Sequence, residues 1–148
     1  IFKRSILRIE NDDKHCLPRS LVAALVHAER GIVRTGELQR TWDNIRNSRS
    51  SRQRKCAEAF VRAAGVVVPD TGCGLDEIKM FQNFYAGQGV AIVVYSFQEF
   101  GRGKKPLFDG TAYVIGTGKQ IVHTLRIMYY AASHHYTTPQ KKKSGLYF

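Results

Sequence analysis

The first strong pattern in the chain is a helical repeat of apolar residues that begins directly after a polar, turn-prone run. It predicts a helix from about residue 16 to residue 30, which Gly31 closes as the residue after the last turn. Pro18 fits the first turn of this helix, because the N–H group that proline lacks has no helical partner there. The apolar face must be buried against the rest of the fold. That face consists of Leu17, Leu21 and Leu25, with Val22 and Val26 one step round.

A second helical pattern covers residues 34–64, but a polar run at residues 44–55 interrupts it. The serines and asparagines of that run favour a loop. The apolar positions resume with a short helical stripe from Cys56 to Ala64, which Gly65 ends. The region is therefore predicted to contain helical segments on either side of a basic loop.

A glycine-containing turn separates that region from a further helix. Residues 66–68 are predicted to be extended and to lead into the turn, where Cys73 is interpreted as a structural residue. The helical spacing of apolar residues then resumes over residues 75–84. The residues predicted to share its buried face are Leu75, Ile78, Phe81 and Phe84.

The later apolar segments have the length and spacing of strands. Residues 90–95 are apolar on both faces, which predicts a central strand. Residues 107–108 and 113–115 predict two short strands around a turn at Asp109. Residues 121–128 alternate and predict a further strand. The residues on one face of that strand are Ile121, His123, Leu125 and Ile127, and the histidine is interpreted as a hydrogen-bonded core or edge residue.

Helices early in the chain and strands late predict an α/β (α+β) fold, in which helices flank a small central β-sheet. The length of 148 residues predicts one domain over residues 1–148. Residues 1–10 are interpreted as a short lead-in strand, and residues 138–148 as a last strand or a frayed end. The first residue is Ile rather than Met, which indicates a fragment or a processed product of a larger protein.

Cys16, at the start of the first predicted helix, is the strongest candidate for chemistry. The positive end of the helix dipole favours a thiolate over a thiol, and the N–H groups there can hold a developing oxyanion. Such a nucleophile needs a base. The candidate is His135, near the other end of the chain, with His134 as the alternative if the register shifts by one residue. Only the folded sheet could bring the cysteine and the base together.

Two short motifs surround these candidates: the run Asp13-x-x-Cys16-Leu17-x-Arg19-x-Leu21, and His135-Tyr136 after an apolar strand. The first resembles the signature D-G-N-C-L-F-R-A-L, and the second the late H-Y motif, of the OTU (ovarian-tumour) cysteine proteases. The resemblance runs from about residue 9 to about residue 138 and implies a papain-like/OTU-like architecture. It also implies cleavage of an isopeptide or peptide bond after a glycine-ended tail such as that of ubiquitin.

The resemblance also implies a role for each matched residue. Cys16 would attack the scissile carbonyl, and His135 would accept the thiol proton and later give it to the leaving amine. Asp13 would hold the oxyanion loop, and Tyr136 would pack against the imidazole.

Two positions depart from the family pattern. Lys14 stands where family members usually have glycine, and Thr137 stands where they often have asparagine or aspartate. A threonine cannot orient an imidazole as a carboxylate does. The third member of a catalytic triad is therefore not assigned.

A second resemblance covers more of the chain. The order of several short motifs is similar to a segment of polyproteins and family-B polymerase proteins of Maverick/Polinton-type transposons and related viruses. It implies an OTU-like domain from a viral or transposon protein. The motifs are Cys16-Leu17-Pro18-Arg19, Ala64-Gly65-Val66, Gly74-Leu75-Asp76-Glu77-Ile78, Phe81-Gln82, Val93-Val94-Tyr95, Leu107-Phe108 and His135-Tyr136.

The charge of the chain raises a different possibility. A formal net charge of +11 attracts nucleic acid, acidic proteins or anionic lipid. The densest positive block lies within the polar run, and a second lies in the tail. They are predicted to contact phosphate or an acidic partner, while a solvated surface is the commoner role of such blocks. The candidate anion-binding residues are Arg46, Arg49, Arg52, Arg54, Lys55, Lys141, Lys142 and Lys143.

The cysteines and the hydropathy exclude other classes. Three cysteines without a C-x-x-C pair argue against a disulfide framework or a zinc site, so no metal or cofactor is expected. A reducing, intracellular compartment follows, which is the host cytoplasm or nucleus if the protein is viral. No apolar run approaches the roughly 18 residues that a membrane span needs, so no membrane is expected as a partner.

Two functions besides a deubiquitinase stay open. A non-catalytic nucleic-acid-binding accessory domain of a viral or transposon replication protein would explain the unassigned triad member and the basic surface. A polyprotein-processing cysteine protease would use the same Cys16 and His135 on a different substrate. The pairing of a cysteine at a helix start with a late His-Tyr favours a protease.

Overall fold

A computed structural model describes residues 14–32, 36–47, 50–96, 105–130 and 145–147 of the chain. These ranges contain five helices and four strands, so the predicted mixed α/β class is confirmed. The predicted lead-in strand at residues 1–10 lies outside them. In chain order the elements are α1 (Cys16–Ile32), α2 (Gly36–Ile45), α3 (Ser51–Ala64), α4 (Leu75–Ala86), β1 (Val90–Ser96), β2 (Phe108–Asp109), α5 (Thr111–Ile115), β3 (His123–Tyr130) and β4 (Gly145–Tyr147).

The four strands form one mixed sheet in the order β2-β1-β3-β4. β1 and β3 are parallel, with Val90 opposite His123, and β2 and β4 pair antiparallel at the two edges. β1 is therefore a central strand, as predicted. The tail contributes the last strand, β4. Since β3 lies inside the sheet, His123 is not on an edge strand.

Both faces of β1 are covered, which explains its unbroken apolar sequence. Val90, Ile92 and Val94 point into the main core, which also contains residues of α1, α3 and α4. Ala91 points to the opposite face, where it packs with Val114 of α5 and with Ala86 of α4. The sheet is therefore a layer between helical segments.

α1 packs against elements from both the early and the late part of the chain, because it contacts α2, α3, β3 and β4. Leu17 and Leu21 are buried in the same cluster as Leu125 and Ile127 of β3, as the apolar spacing predicted. The predicted end at residue 30 is wrong, since the helix continues through Gly31 to Ile32. Glycine adopts the right-handed helical conformation as well as the left-handed one, so it need not stop a helix.

The predicted loop at residues 44–55 is wrong at both ends, because α2 continues to Ile45 and α3 begins at Ser51. Ser50 is the N-cap, and its side-chain oxygen accepts a hydrogen bond of 3.1 Å from the Arg52 N–H. A serine in a polar run therefore starts a helix here instead of extending a loop. The predicted end at Gly65 is confirmed, because this residue has a left-handed conformation with φ of 69°.

The predicted strand at residues 113–115 is also wrong, because these residues belong to α5. The Asp109 carboxylate accepts a hydrogen bond of 3.0 Å from the Thr111 N–H, and the Gly110 C=O accepts from the Tyr113 N–H at 3.1 Å. These bonds close a helical turn directly after β2. Ile121 precedes β3 and is exposed, so it does not share the buried face of that strand.

α4 forms where it was predicted, and Phe81, Ile78 and Phe84 of its predicted face are buried or partly buried against the main core. Leu75 is half exposed instead, and Gln82 and Tyr85 are buried in addition. The ring of Phe60 from α3 stacks on Phe81 and Tyr85, with centroid distances of 4.8 Å and 5.0 Å. The two helices are thus joined by aromatic contacts. Among the described helices, none has both the length and the apolar content that a membrane span needs.

Candidate active site

Cys16 is the first residue of α1 and is partly exposed, as the nucleophile hypothesis requires. The residue after it, Leu17, is buried in the core and anchors the first turn. The other residues assigned to the catalytic site, Asp13 and His135, lie outside the described part of the chain, as do His134 and Tyr136. The structure thus describes the candidate nucleophile and its immediate surroundings.

The start of α1 is the positive end of its helix dipole. Its hydrogen-bond ladder begins with the Arg19 N–H, which donates to the His15 C=O at 2.9 Å. The backbone N–H groups ahead of Arg19 therefore precede the ladder and point out of the positive end of the helix. Pro18 lies in this first turn and supplies no N–H, in agreement with the sequence prediction. The Ser20 hydroxyl donates to the Cys16 C=O at 2.8 Å.

A buried polar network holds this first turn in position. The Arg19 guanidinium donates to the Gln53 Oε1 at 2.8 Å, and the Gln53 amide donates to the Ile45 C=O at 2.8 Å. Both side chains are buried, with exposed fractions of 6% for Arg19 and 0% for Gln53. The network therefore ties the Cys16 turn to the end of α2 and to α3, which limits the orientations that this turn can adopt.

Gln53 was not predicted as a buried residue because it lies in the run interpreted as a loop. The signal that identifies it is its spacing from Ala57 and Phe60, which gives buried positions at i, i+4 and i+7 of α3. That pattern becomes visible once Ser50 is recognised as the helix cap.

A second thiol lies beside the candidate nucleophile. Burial, and after it negative charge at Cys16 and at Glu77, raises the pKa of the Cys73 thiol from 9.0 to about 12. Lys14 acts in the opposite direction. The Glu77 carboxylate accepts a hydrogen bond of 2.8 Å from the Gly74 N–H, which secures the start of α4 next to this thiol. Cys73 is therefore held protonated at neutral pH, next to Cys16.

The loop with Cys73 and the segment before Cys16 also meet at the surface. The Lys14 ammonium lies 3.1 Å from the Asp70 carboxylate, and the Asp70 side chain is fully exposed. Exposed pairs of this kind contribute only about 0–1 kcal/mol. The contact nevertheless shows that residues 14–16 and 70–73 are neighbours. No spacing in the sequence indicated this proximity, since the two segments are far apart along the chain.

The candidate base belongs to the connection between two strands that contact the cysteine helix. His135 lies in residues 131–144, which join β3 to β4 in the sequence, and both strands contact α1.

The candidate anion-binding residues fall into two groups. Arg46, Arg52, Arg54 and Lys55 are described and exposed, whereas Arg49 and Lys141, Lys142 and Lys143 lie outside the described ranges. Arg46 lies 3.5 Å from the Asp43 carboxylate. Three of the described residues follow the N-cap of α3, and no acidic residue is present in the first turn of that helix. Positive side chains therefore add to the positive end of the helix dipole there.

The described residues contain no group of three or more histidine, cysteine, aspartate or glutamate side chains that could hold a metal ion. Comparison with protein-family models, with curated proteins and with solved structures found no match to this chain.

Proposed function

We propose that the chain is a cysteine protease of the OTU type, which cleaves an isopeptide or peptide bond after a ubiquitin-like C-terminal tail. The observation that carries the proposal is the location of Cys16. A partly exposed cysteine is the first residue of a helix whose next residue is buried and whose first turn is braced by Arg19 and Gln53. This arrangement presents a thiol and helix N-terminal amides on one rigid support.

In the proposed reaction, Cys16 Sγ attacks the scissile carbonyl carbon while His135 accepts the thiol proton. The oxyanion of the tetrahedral intermediate is held by backbone N–H groups near the start of α1, where Asp13 holds the loop. His135 then gives its proton to the leaving amine, and water hydrolyses the thioester. Tyr136 packs against the imidazole. This chemistry requires no metal or organic cofactor and fits a reducing intracellular compartment.

The test is reaction of the purified protein with ubiquitin that carries a thiol-reactive electrophile at its C-terminus. We expect a covalent adduct that is lost in Cys16→Ala and forms more slowly in His135→Ala. The matched control is Cys56→Ala, because Cys56 is partly buried against a separate cluster with Ala23 and Ile45. A folded wild-type protein that forms no adduct would exclude ubiquitin as the substrate. An adduct that survives in Cys16→Ala would exclude Cys16 as the nucleophile.

The exposed basic residues of α3 favour a second candidate function, a non-catalytic nucleic-acid-binding domain. Arg52, Arg54 and Lys55 lie within four positions of one another at one end of the helix, and Arg46 is close in sequence. If they contact phosphates, binding of single- or double-stranded DNA must weaken as salt increases, by a slope of about 0.7–0.9 per phosphate contact. Replacing the three α3 residues by alanine would then reduce that slope by roughly 2–3.

The matched control for this binding test is Cys16→Ala, which must bind as the wild type does. An unchanged salt slope in the triple variant would exclude α3 as the contact surface. If the cysteine reacts with a peptide electrophile derived from a parent polyprotein but not with ubiquitin, the processing protease is the correct assignment.

A further inference from the structure

Cys73 is a nucleophilic group that the proposed peptide-bond chemistry does not use. It is partly buried against the same core cluster as Cys16, on the loop that precedes α4. The segments that carry the two cysteines are in contact through Lys14 and Asp70, which lie two and three positions before the respective thiols. The third cysteine, Cys56, packs instead against Ala23 and Ile45.

We propose that Cys16 and Cys73 form a reversible intramolecular disulfide when a peroxide oxidises the protein. The two thiols are arranged asymmetrically, as such a pair requires. Cys16 is at a helix start and is partly exposed, which suits the thiol that meets the oxidant. Cys73 is partly buried on the neighbouring loop, against the same core cluster, which suits the thiol that attacks second.

The reaction balances with the peroxide as the only oxidant. The Cys16 thiolate attacks one peroxide oxygen, the O–O bond breaks, and the products are a sulfenic acid on Cys16 and water or an alcohol. Cys73 sulfur then attacks Cys16 sulfur, the S–O bond breaks, and the departing hydroxide takes the Cys73 proton as water. The two thiols lose two electrons, which reduce the O–O bond. A thiol reductant restores both thiols by exchange.

The electrostatics of the pair favour this order of events. Negative charge at Cys16 is one of the causes that raise the pKa of Cys73. Conversion of a Cys16 thiolate to a neutral sulfenic acid removes that charge. Cys73 is therefore kept protonated while Cys16 is reduced, and it becomes easier to ionise once Cys16 is oxidised.

The experiment is to treat the folded, reduced protein with hydrogen peroxide, block the remaining thiols and digest with trypsin without reductant. Cleavage after lysine and arginine releases Cys16 in residues 15–19 and Cys73 in residues 63–79. We expect these two peptides to be joined, with a mass lower by two hydrogen atoms than their sum. The link must disappear with dithiothreitol and be absent in Cys73→Ala, and it must persist in the control Cys56→Ala.

Three results would overturn the proposal. They are a link from Cys16 to Cys56, links only between separate molecules, and a Cys16 sulfinic acid beside an unmodified Cys73 in the folded wild type. Because Cys73→Ala removes a partly buried side chain, its fold is checked by circular dichroism, and Cys73→Ser serves as a second variant. In both variants we expect Cys16 to proceed to sulfinic acid.

The consequence for activity rests on the proposed protease function, since a disulfide would block Cys16 as a nucleophile. Labelling by the ubiquitin electrophile before and after peroxide separates the two proposals. A reduced protein that forms the linked peptides but never labels contradicts the protease and supports the disulfide. A protein that labels but never links contradicts the disulfide alone.

Discussion

Substitution of Gly110 tests how α4 is attached to the central strand. The Gln82 amide donates to the Val90 C=O at 2.9 Å, and its oxygen accepts from the Ile92 N–H at 2.6 Å. A Cβ atom at Gly110 would overlap this side-chain oxygen and lie 2.9 Å from the Ile92 C=O. Gly110→Ala therefore forces the fully buried Gln82 side chain away from β1.

The cost follows from the groups that lose their partners. Two backbone groups of β1 and the Gln82 amide would be left in the core, and a buried polar group without a partner costs about 1–3 kcal/mol. Partial repacking offsets part of this, so we expect a loss of about 3 kcal/mol in the free energy of unfolding. For a domain of this size that loss lowers the melting temperature by roughly 6–12 °C. Differential scanning calorimetry or thermal circular dichroism measures it.

The matched control is Gly87→Ala. Gly87 has φ of −66°, and no atom lies within 4 Å of the position that its Cβ would take. This variant is expected to be neutral or stabilised by less than about 1 kcal/mol. In a double-mutant cycle, Gly110→Ala should cost less once Gln82→Ala is present, because only the close approach to the Ile92 C=O then remains. Equal melting temperatures for the two glycine variants, or additive effects with Gln82→Ala, would refute the steric explanation.

Two other predictions concern the surroundings of Cys16. Gln53→Ala removes an acceptor of the buried Arg19 guanidinium. Urea denaturation should therefore show that the free energy of unfolding falls by about 2–4 kcal/mol. A decrease below about 0.5 kcal/mol would contradict the role of Gln53 in holding the first turn of α1. The pKa of Cys73 is raised from 9.0 to about 12 in the folded protein. As the pH rises, the unfolded chain therefore loses the thiol proton before the folded protein does. The free energy of unfolding must then fall between about pH 9 and pH 12. Cys73→Ala should show a shallower alkaline decline than the wild type or Cys56→Ala, as measured by the urea midpoint across this pH range; identical slopes in all three proteins would contradict it.

The parts of the fold that the sequence predicts well are those where the apolar pattern has a single cause. β1 is apolar from Val90 to Tyr95 because helices cover both of its faces, and β3 alternates at Leu125 and Ile127 because only one face meets the main core. The start of α1 is marked by Pro18 and by the apolar repeat behind it. In these places the local pattern of apolar residues agrees with their burial in the fold, so the pattern alone predicts the element correctly.

The incorrect or missing predictions concern residues whose role depends on partners elsewhere in the chain. Gln53 and Gln82 are polar in the sequence, yet both are fully buried, because each satisfies backbone groups of another element. Residues 113–115 have the composition of a strand, but the hydrogen bonds at Asp109 and Gly110 turn the chain into a helix. The nearness of Cys73 to Cys16 depends on the packing of whole elements, which no local spacing encodes.

The packing of α1 against the last two strands has a consequence for synthesis on the ribosome. The apolar face of α1 is complete when residue 32 has been made, but its partner strand β3 begins only at residue 123. At about 5–20 residues per second, the part of this face that packs on β3 stays uncovered for roughly 5–20 s after α1 is made. α2 and α3 can cover the helix earlier, but its contacts with β3 and β4 form only when the C-terminal residues are present. Stalled chains that end before β3 are expected to be chaperone clients rather than folded intermediates.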